Sequence, residues 1–109
     1  MQQISPAQVA EWAGGQAQRP VLLDVREGWE VQTACARLEG LDFVHMPMQT
    51  VPARLSELDR SRPVACLCHH GGRSMQVAHF LAQQGYEVVN IAGGIHAWSV
   101  QVDPSIPTY

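Results

Sequence analysis

Val64-Ala65-Cys66-Leu67-Cys68-His69-His70-Gly71-Gly72-Arg73-Ser74 decides how this chain folds, because it passes from an apolar run through a glycine turn into a helical pattern. Val64 to Leu67 has the length of a buried strand. From Ser74 to Gln84, Val77, Ala78, Leu81 and Ala82 form one helical stripe, which Gly85 ends. A turn between the two aims loop amides and a helix N-terminus at the Cys68 sulfur, a setting that favours an anion. A free thiol titrates at roughly 8.5, and such a setting beside an Arg or His pulls that value down toward neutrality and below it. The stretch thus predicts an ionised nucleophile at the end of a strand.

On either side the chain alternates in the same way. Val21-Leu22-Leu23-Asp24-Val25, Phe43-Val44-His45-Met46 and Tyr86-Glu87-Val88-Val89-Asn90-Ile91 are further strand candidates. Ser5-Pro6 opens a short helix that Gly14-Gly15 stops. Glu27 to Leu38 has Trp29, Val31, Ala34 and Cys35 at helical spacing, and Ala53 to Leu58 suits a short helix behind Pro47 and Pro52. Gly93-Gly94 turns the chain into a last helix holding Ile95 and Trp98. Strands alternating with helices imply an α/β domain, with a parallel sheet covered on both faces. Ligands of such sheets lie beyond the carboxyl ends of the strands, where Cys68 stands. Residues 1–102 carry this pattern. Residues 103–109, with Pro104 and Pro107, have no period and form either an extended strap or a loose terminus.

With 109 residues, 46% of them apolar and 16% charged, the chain suits one ordinary globular domain. A formal charge of -3 argues against nucleic acid or an anionic membrane as partner, since both require a basic field. Met1 to Pro6 lacks the features of a secretory signal, and no run approaches the ~20 apolar residues of a membrane span, which points to a cytoplasmic chain. Cys35, Cys66 and Cys68 form an odd set in a domain with a normal core, so at least one free thiol is expected.

Three pieces together resemble the rhodanese family of sulfurtransferases, and in particular its single-domain bacterial members. They are Leu23-Asp24-Val25-Arg26, Cys68-x4-Arg73-Ser74 and Gly93-Gly94-x3-Trp98, in that order. The resemblance covers nearly the whole chain. It implies a rhodanese-like domain with a central five-stranded parallel sheet, although only four strand runs stand out in the residues. It also implies a catalytic Cys68 that accepts a sulfane sulfur as a persulfide and passes it on, with no metal or organic cofactor. The active loop would comprise His69, His70, Gly71, Gly72, Arg73 and Ser74, with Asp24, Arg26, Gly93, Gly94 and Trp98 as structural support. The expected partners are a small anionic sulfur donor, a thiol or cyanide acceptor, and a sulfur-relay protein in some settings. One departure stands out. Many relatives carry a basic residue directly after the cysteine, where this chain has His69 and then His70.

Cys68 can be read as a small core hydrophobe, but Gly71, Gly72 and Arg73 supply the surroundings of a reactive thiol. As a nucleophile it would attack the outer sulfur of a donor such as thiosulfate, release sulfite and keep a persulfide. Glycines at 71 and 72 allow the backbone to curl into an anion nest. Four residues separate Cys68 from Arg73, one fewer than in the similar loops of cysteine phosphatases and arsenate reductases. The tighter ring suits a single sulfur better than a tetrahedral oxyanion. Arg73 at a helix start opposes the dipole, which suggests that it shapes the loop or its field. His69 and His70 are either solvated loop residues or groups that bind donor and tune the field near neutrality. Cys66 is expected in the sheet interior and Cys35 under its helix, either one a candidate resolving thiol. Adjacent histidines and Cys66-x-Cys68 lack the spacing of a structural zinc site, so no metal is expected. A second kind of function fits the same residues: a persulfide relay module whose work is to dock a partner protein.

Overall fold

A computed structural model describes residues 2–109. Five strands, β1 (Gln2–Ile4), β2 (Val21–Asp24), β3 (Asp42–His45), β4 (Val64–Leu67) and β5 (Val88–Ile91), form one sheet in the order β1-β5-β4-β2-β3. Every pairing is parallel. Four helices alternate with them: α1 (Val9–Gly14), α2 (Gly28–Thr33), α3 (Gly72–Gln83) and α4 (Gly94–Gln101). This is the α/β architecture expected from the alternation of apolar runs and helical stripes.

Successive strand residues face opposite sides, so the central strands are apolar throughout and feed two cores. Val21, Leu23, Val64, Cys66 and Val88 pack on one face with Val77, Ala78 and Leu81 of α3. Leu22, Ala65, Leu67, Val89 and Ile91 pack on the other with Val9 of α1, and with Ile95 and Trp98 of α4. β4 lies between β5 and β2, so its carboxyl end opens at the middle of the sheet.

Four features differ from the sequence reading. β1 was not foreseen, because Gln2 and Gln3 are exposed on an edge strand and only Ile4 is buried. The helix expected over Glu27 to Leu38 ends at Thr33, where Ala34 turns to extended backbone, φ -151° and ψ 131°. Ala34 and Ala36 are then buried against the sheet, and Cys35 lies past the helix, half-buried, rather than beneath it. The segment expected as a helix around Ala53 to Leu58 holds only a short 3-10 turn, Leu55–Glu57, after another at Met48–Thr50. Beyond α4, residues 103–109 turn back along the body as a strap: Ile106 is buried, and the Ser99 hydroxyl donates to its carbonyl at 2.6 Å. Among the described residues no helix is long and apolar enough to cross a membrane, and no cluster of metal-ligating side chains occurs.

Candidate active site

Cys68 follows the last residue of β4 and is 1% exposed. The Gly71 amide donates to its sulfur at 3.0 Å. The Ser74 hydroxyl lies 3.2 Å from the sulfur and 3.3 Å from the Gly71 carbonyl, so its single proton serves one or the other. An amide and a hydroxyl converging on one sulfur are the partners that a thiolate or a persulfide anion accepts from.

The loop keeps this shape because α4 holds its outer side. Ile95 and His96, in the first turn of α4, donate their amides to the carbonyls of Cys68 and His69 at 2.8 and 3.1 Å. With those carbonyls drawn outward, the Gly71 amide is left to face the sulfur. Two glycines permit the approach. Gly71 has φ +106°, which side chains with a Cβ rarely adopt. At Gly94, φ is +62°, and a Cβ would run into the carbonyls of Cys68 and His69. From β5, Asn90 reaches across to donate its amide to the Gly71 carbonyl at 3.2 Å.

Two arginine-carboxylate pairs stand beside the loop. Asp24 and Arg26 are both fully buried, with Nη2 donating to the Asp24 carboxylate at 2.7 Å and Nε at 2.9 Å. The remaining guanidinium hydrogens reach the carbonyls of Glu30 and Ala34 and the Tyr109 oxygen, at 3.2, 2.7 and 3.0 Å. Arg73 turns away from the dipole conflict at the start of α3 and forks onto Glu30 of α2, with bonds of 2.6 and 2.7 Å. The bonds from Arg73 outweigh the cost of burial and hold the Glu30 carboxyl down at about 2. The same contact raises the Arg73 guanidinium further above its ordinary value.

The rim of the loop is aromatic. The His69 ring stacks on Tyr109, with centroids 3.8 Å apart and planes 4° from parallel, and tilts against His70 at 3.9 Å. His70 in turn lies 5.2 Å from His96, and Trp29, 63% exposed, meets Tyr109 edge-on at 5.9 Å. Burial first, and then the neighbouring His70, lowers the titration of His69 below the ordinary imidazole value. His69 Nε2 and Asn90 Oδ1 are buried with no protein partner. The His69 ring is therefore packed on one face, and the residue is half-buried.

The structure gathers Cys68, His69, His70, Gly71, Gly72, Arg73 and Ser74 at one strand end, with Gly93 and Gly94 against the loop and Asp24 and Arg26 beside it. Trp98 is buried in the core under α4, away from the sulfur. Cys66 is wholly buried in β4, and burial, followed by the adjacent Cys68, pushes its thiol far up. It stays protonated, a poor resolving nucleophile. Glu30, Asn90 and Tyr109 are members of the site that the sequence reading did not single out. Asn90 carried a signal, as a polar residue in an otherwise apolar strand. Glu30 carried a weaker one, three residues after Glu27 in a capping box. Tyr109 carried none.

The site is thus a cysteine loop at the carboxyl end of the middle strand of a parallel five-stranded sheet. The model of the rhodanese-like domain matches residues 5–101, and the chain belongs to that family, a family of sulfurtransferase enzymes. A chloroplastic rhodanese-like/PpiC domain-containing protein of Arabidopsis thaliana is 46% identical over 93 residues, which are 81% of this chain and 30% of that protein. The chain thus spans under a third of that relative's length. A sulfurtransferase of Allochromatium vinosum is 38% identical over 73 residues, 64% of this chain and 68% of that one. The crystal structure of a rhodanese-related protein from Thermoplasma volcanium superposes with a TM-score of 0.79 at 26% identity, covering all of both chains.

Proposed function

We propose that this protein moves a sulfane sulfur from a small anionic donor such as thiosulfate, through a persulfide on Cys68, to a thiol or cyanide acceptor. The observation that carries this reading is the Cys68 sulfur at the floor of a four-residue loop, with the Gly71 amide and the Ser74 hydroxyl converging on it. In the first half-reaction the Cys68 thiolate attacks the outer sulfur of thiosulfate. The sulfur-sulfur bond breaks, sulfite leaves with the bonding electron pair, and the negative charge settles on the terminal sulfur of the new persulfide. The acceptor then attacks that terminal sulfur and the Cys68 thiolate returns. Both resting anions have the same need, donors preorganised around a sulfur, and the Gly71 amide and Ser74 hydroxyl are placed at the Cys68 sulfur.

Arg73 is committed to Glu30 by both its terminal nitrogens, so its charge toward a donor is largely offset. Attraction of an anionic donor then rests on the loop amides and on the histidines of the rim. A buried sulfur also favours a slender donor whose terminal atom reaches the loop floor.

Intact mass after incubation with thiosulfate tests the reading. The wild-type protein is expected to gain one sulfur, removable by cyanide as thiocyanate, and Cys68→Ser to gain none and lose turnover by at least about a thousandfold, as on removal of a covalent nucleophile. A Cys68→Ser protein that still formed thiocyanate at the wild-type rate would refute it. Loading from a protein persulfide but from no small donor would assign the relay role instead.

A further inference from the structure

We propose that Tyr109 is a positioning residue of the cysteine loop, setting the His69 ring by stacking and the Arg73 guanidinium through the carboxylate of Glu30. Three independent contacts converge on this side chain. Its ring covers His69 at 3.8 Å and 4°. Its hydroxyl donates to Glu30 Oε2 at 2.7 Å, on the carboxylate that grips both terminal nitrogens of Arg73. The same oxygen accepts from Arg26 Nη1 at 3.0 Å, which aims the hydroxyl proton at Glu30. One aromatic residue thus ties together the first residue after the nucleophile, the arginine that closes the loop, and the arginine of the buried pair.

The strap is built to present it. Ile106 is buried in the core shared with Trp98 and Ile95, and the Ser99 hydroxyl fixes its carbonyl at 2.6 Å. Asp103 accepts from the Ser105 amide and hydroxyl at 3.1 and 2.5 Å and turns the chain toward the loop. The strap is therefore anchored by Ile106 independently of Tyr109, and loss of the tyrosine side chain leaves the backbone in place.

The stack has a chemical consequence for His69. The charged and titratable groups around that ring are His70 on the loop, Glu30 on α2, Arg73 on α3 and Tyr109 on the strap, with Cys68 preceding it and His96 of α4 beyond His70. The Tyr109 ring covers one face of the imidazole and so disfavours its cation, against the opposite pull of Glu30 and of the Tyr109 backbone. This role rests on the sulfur-transfer reading only insofar as the loop is the reacting site; the coupling of Tyr109 to His69 stands apart from any activity.

Two variants separate the ring from the hydroxyl. Tyr109→Ala removes both contacts, and Tyr109→Phe keeps the stack but frees Glu30. Titration of His69 by NMR in the full-length protein, assigned with His69→Gln, reads the stack directly. In Tyr109→Ala the His69 titration is expected to move up toward the ordinary imidazole value, and in Tyr109→Phe to stay where it is in the wild type. Sulfur loading of Cys68 from thiosulfate, followed against pH, is expected to show the same displacement, in Tyr109→Ala alone, of the limb on which loading falls as pH rises through the His69 titration. Loss of the hydroxyl bond in Tyr109→Phe lowers turnover about three- to tenfold with little change in KM, the scale of one ordinary intramolecular hydrogen bond. An unchanged His69 titration in Tyr109→Ala overturns the proposal, whatever the activity does. So does a Tyr109→Phe protein whose His69 shifts as far as in Tyr109→Ala. If the wild type takes up no sulfur, the proposed reaction fails while the titration still decides the role of Tyr109.

Discussion

Two arginines flank the cysteine loop, each forked onto a carboxylate and both linked through Tyr109, yet they do different work. Arg26 and Asp24 have no exposed side-chain surface, and every hydrogen of the guanidinium has a partner. Arg73 keeps 35% of its side chain exposed over a Glu30 that keeps 4%. The first pair is sealed and organises the backbone: it ties the end of β2 to the start and end of α2 through the carbonyls of Glu30 and Ala34. The second is half open at the mouth of the loop and ties α2 to α3. Burial, more than the identity of the ion pair, separates a sealed structural brace from a pair that stays open to solvent.

The largest expected effect comes from breaking the sealed pair. Arg26→Met leaves the Asp24 carboxylate buried without a counter-charge and is expected to cost about 3–5 kcal/mol of stability, read from urea denaturation. Arg73→Met should cost well under half of that. Equal losses would erase the distinction between the two pairs.

A smaller effect isolates the open pair. Glu30→Gln removes the carboxylate charge that faces Arg73 and is expected to lower stability at neutral pH by about 1 kcal/mol, the figure for such a pair after allowance for the open side of Arg73. The sign of its pH dependence follows from the depressed Glu30 carboxyl. Its contribution is complete above the ordinary value of 4.5 and is lost as pH falls toward about 2, where the folded-state carboxyl takes up its proton. The gap between wild type and Glu30→Gln should therefore close over that acid window. A gap that stayed constant from neutral pH to pH 2 would show that the pair is not what lowers the carboxyl.

The smallest effect concerns the rim. If protonated His69 assists an anionic donor, KM for thiosulfate rises as pH climbs through its titration, and burial places that rise below the ordinary imidazole value of 6.5. His69→Arg supplies a fixed charge and should flatten the rise, a change of about threefold for one partly screened charge. An identical profile in the variant would remove His69 from donor binding.

The loop was legible in the sequence because its determinants are local: an apolar run, two glycines, and a helical stripe within about three turns of Cys68. The strand β2 was legible for the same reason, while Asp24 and Arg26 were singled out by the family resemblance and not by their spacing. What escaped lies far apart in the chain. Arg73 meets Glu30 across 43 positions and Tyr109 meets Glu30 across 79, and no periodicity reports such a contact. β1 escaped because an edge strand with one buried residue has no apolar pattern to show. The early end of α2 escaped because its spacing continues past Thr33, while the Arg26 guanidinium claims the Ala34 carbonyl at 2.7 Å.

The grip of α4 on the cysteine loop also sets an order of events during synthesis. The carbonyls of Cys68 and His69 are turned outward by amides at positions 95 and 96, and Tyr109 follows later still. A ribosome releases the nucleophile well before it releases the residues that shape the nucleophile's surroundings. The nascent thiol therefore passes through an interval in which it is an ordinary cysteine, and its anion-binding environment arrives only when the last helix docks.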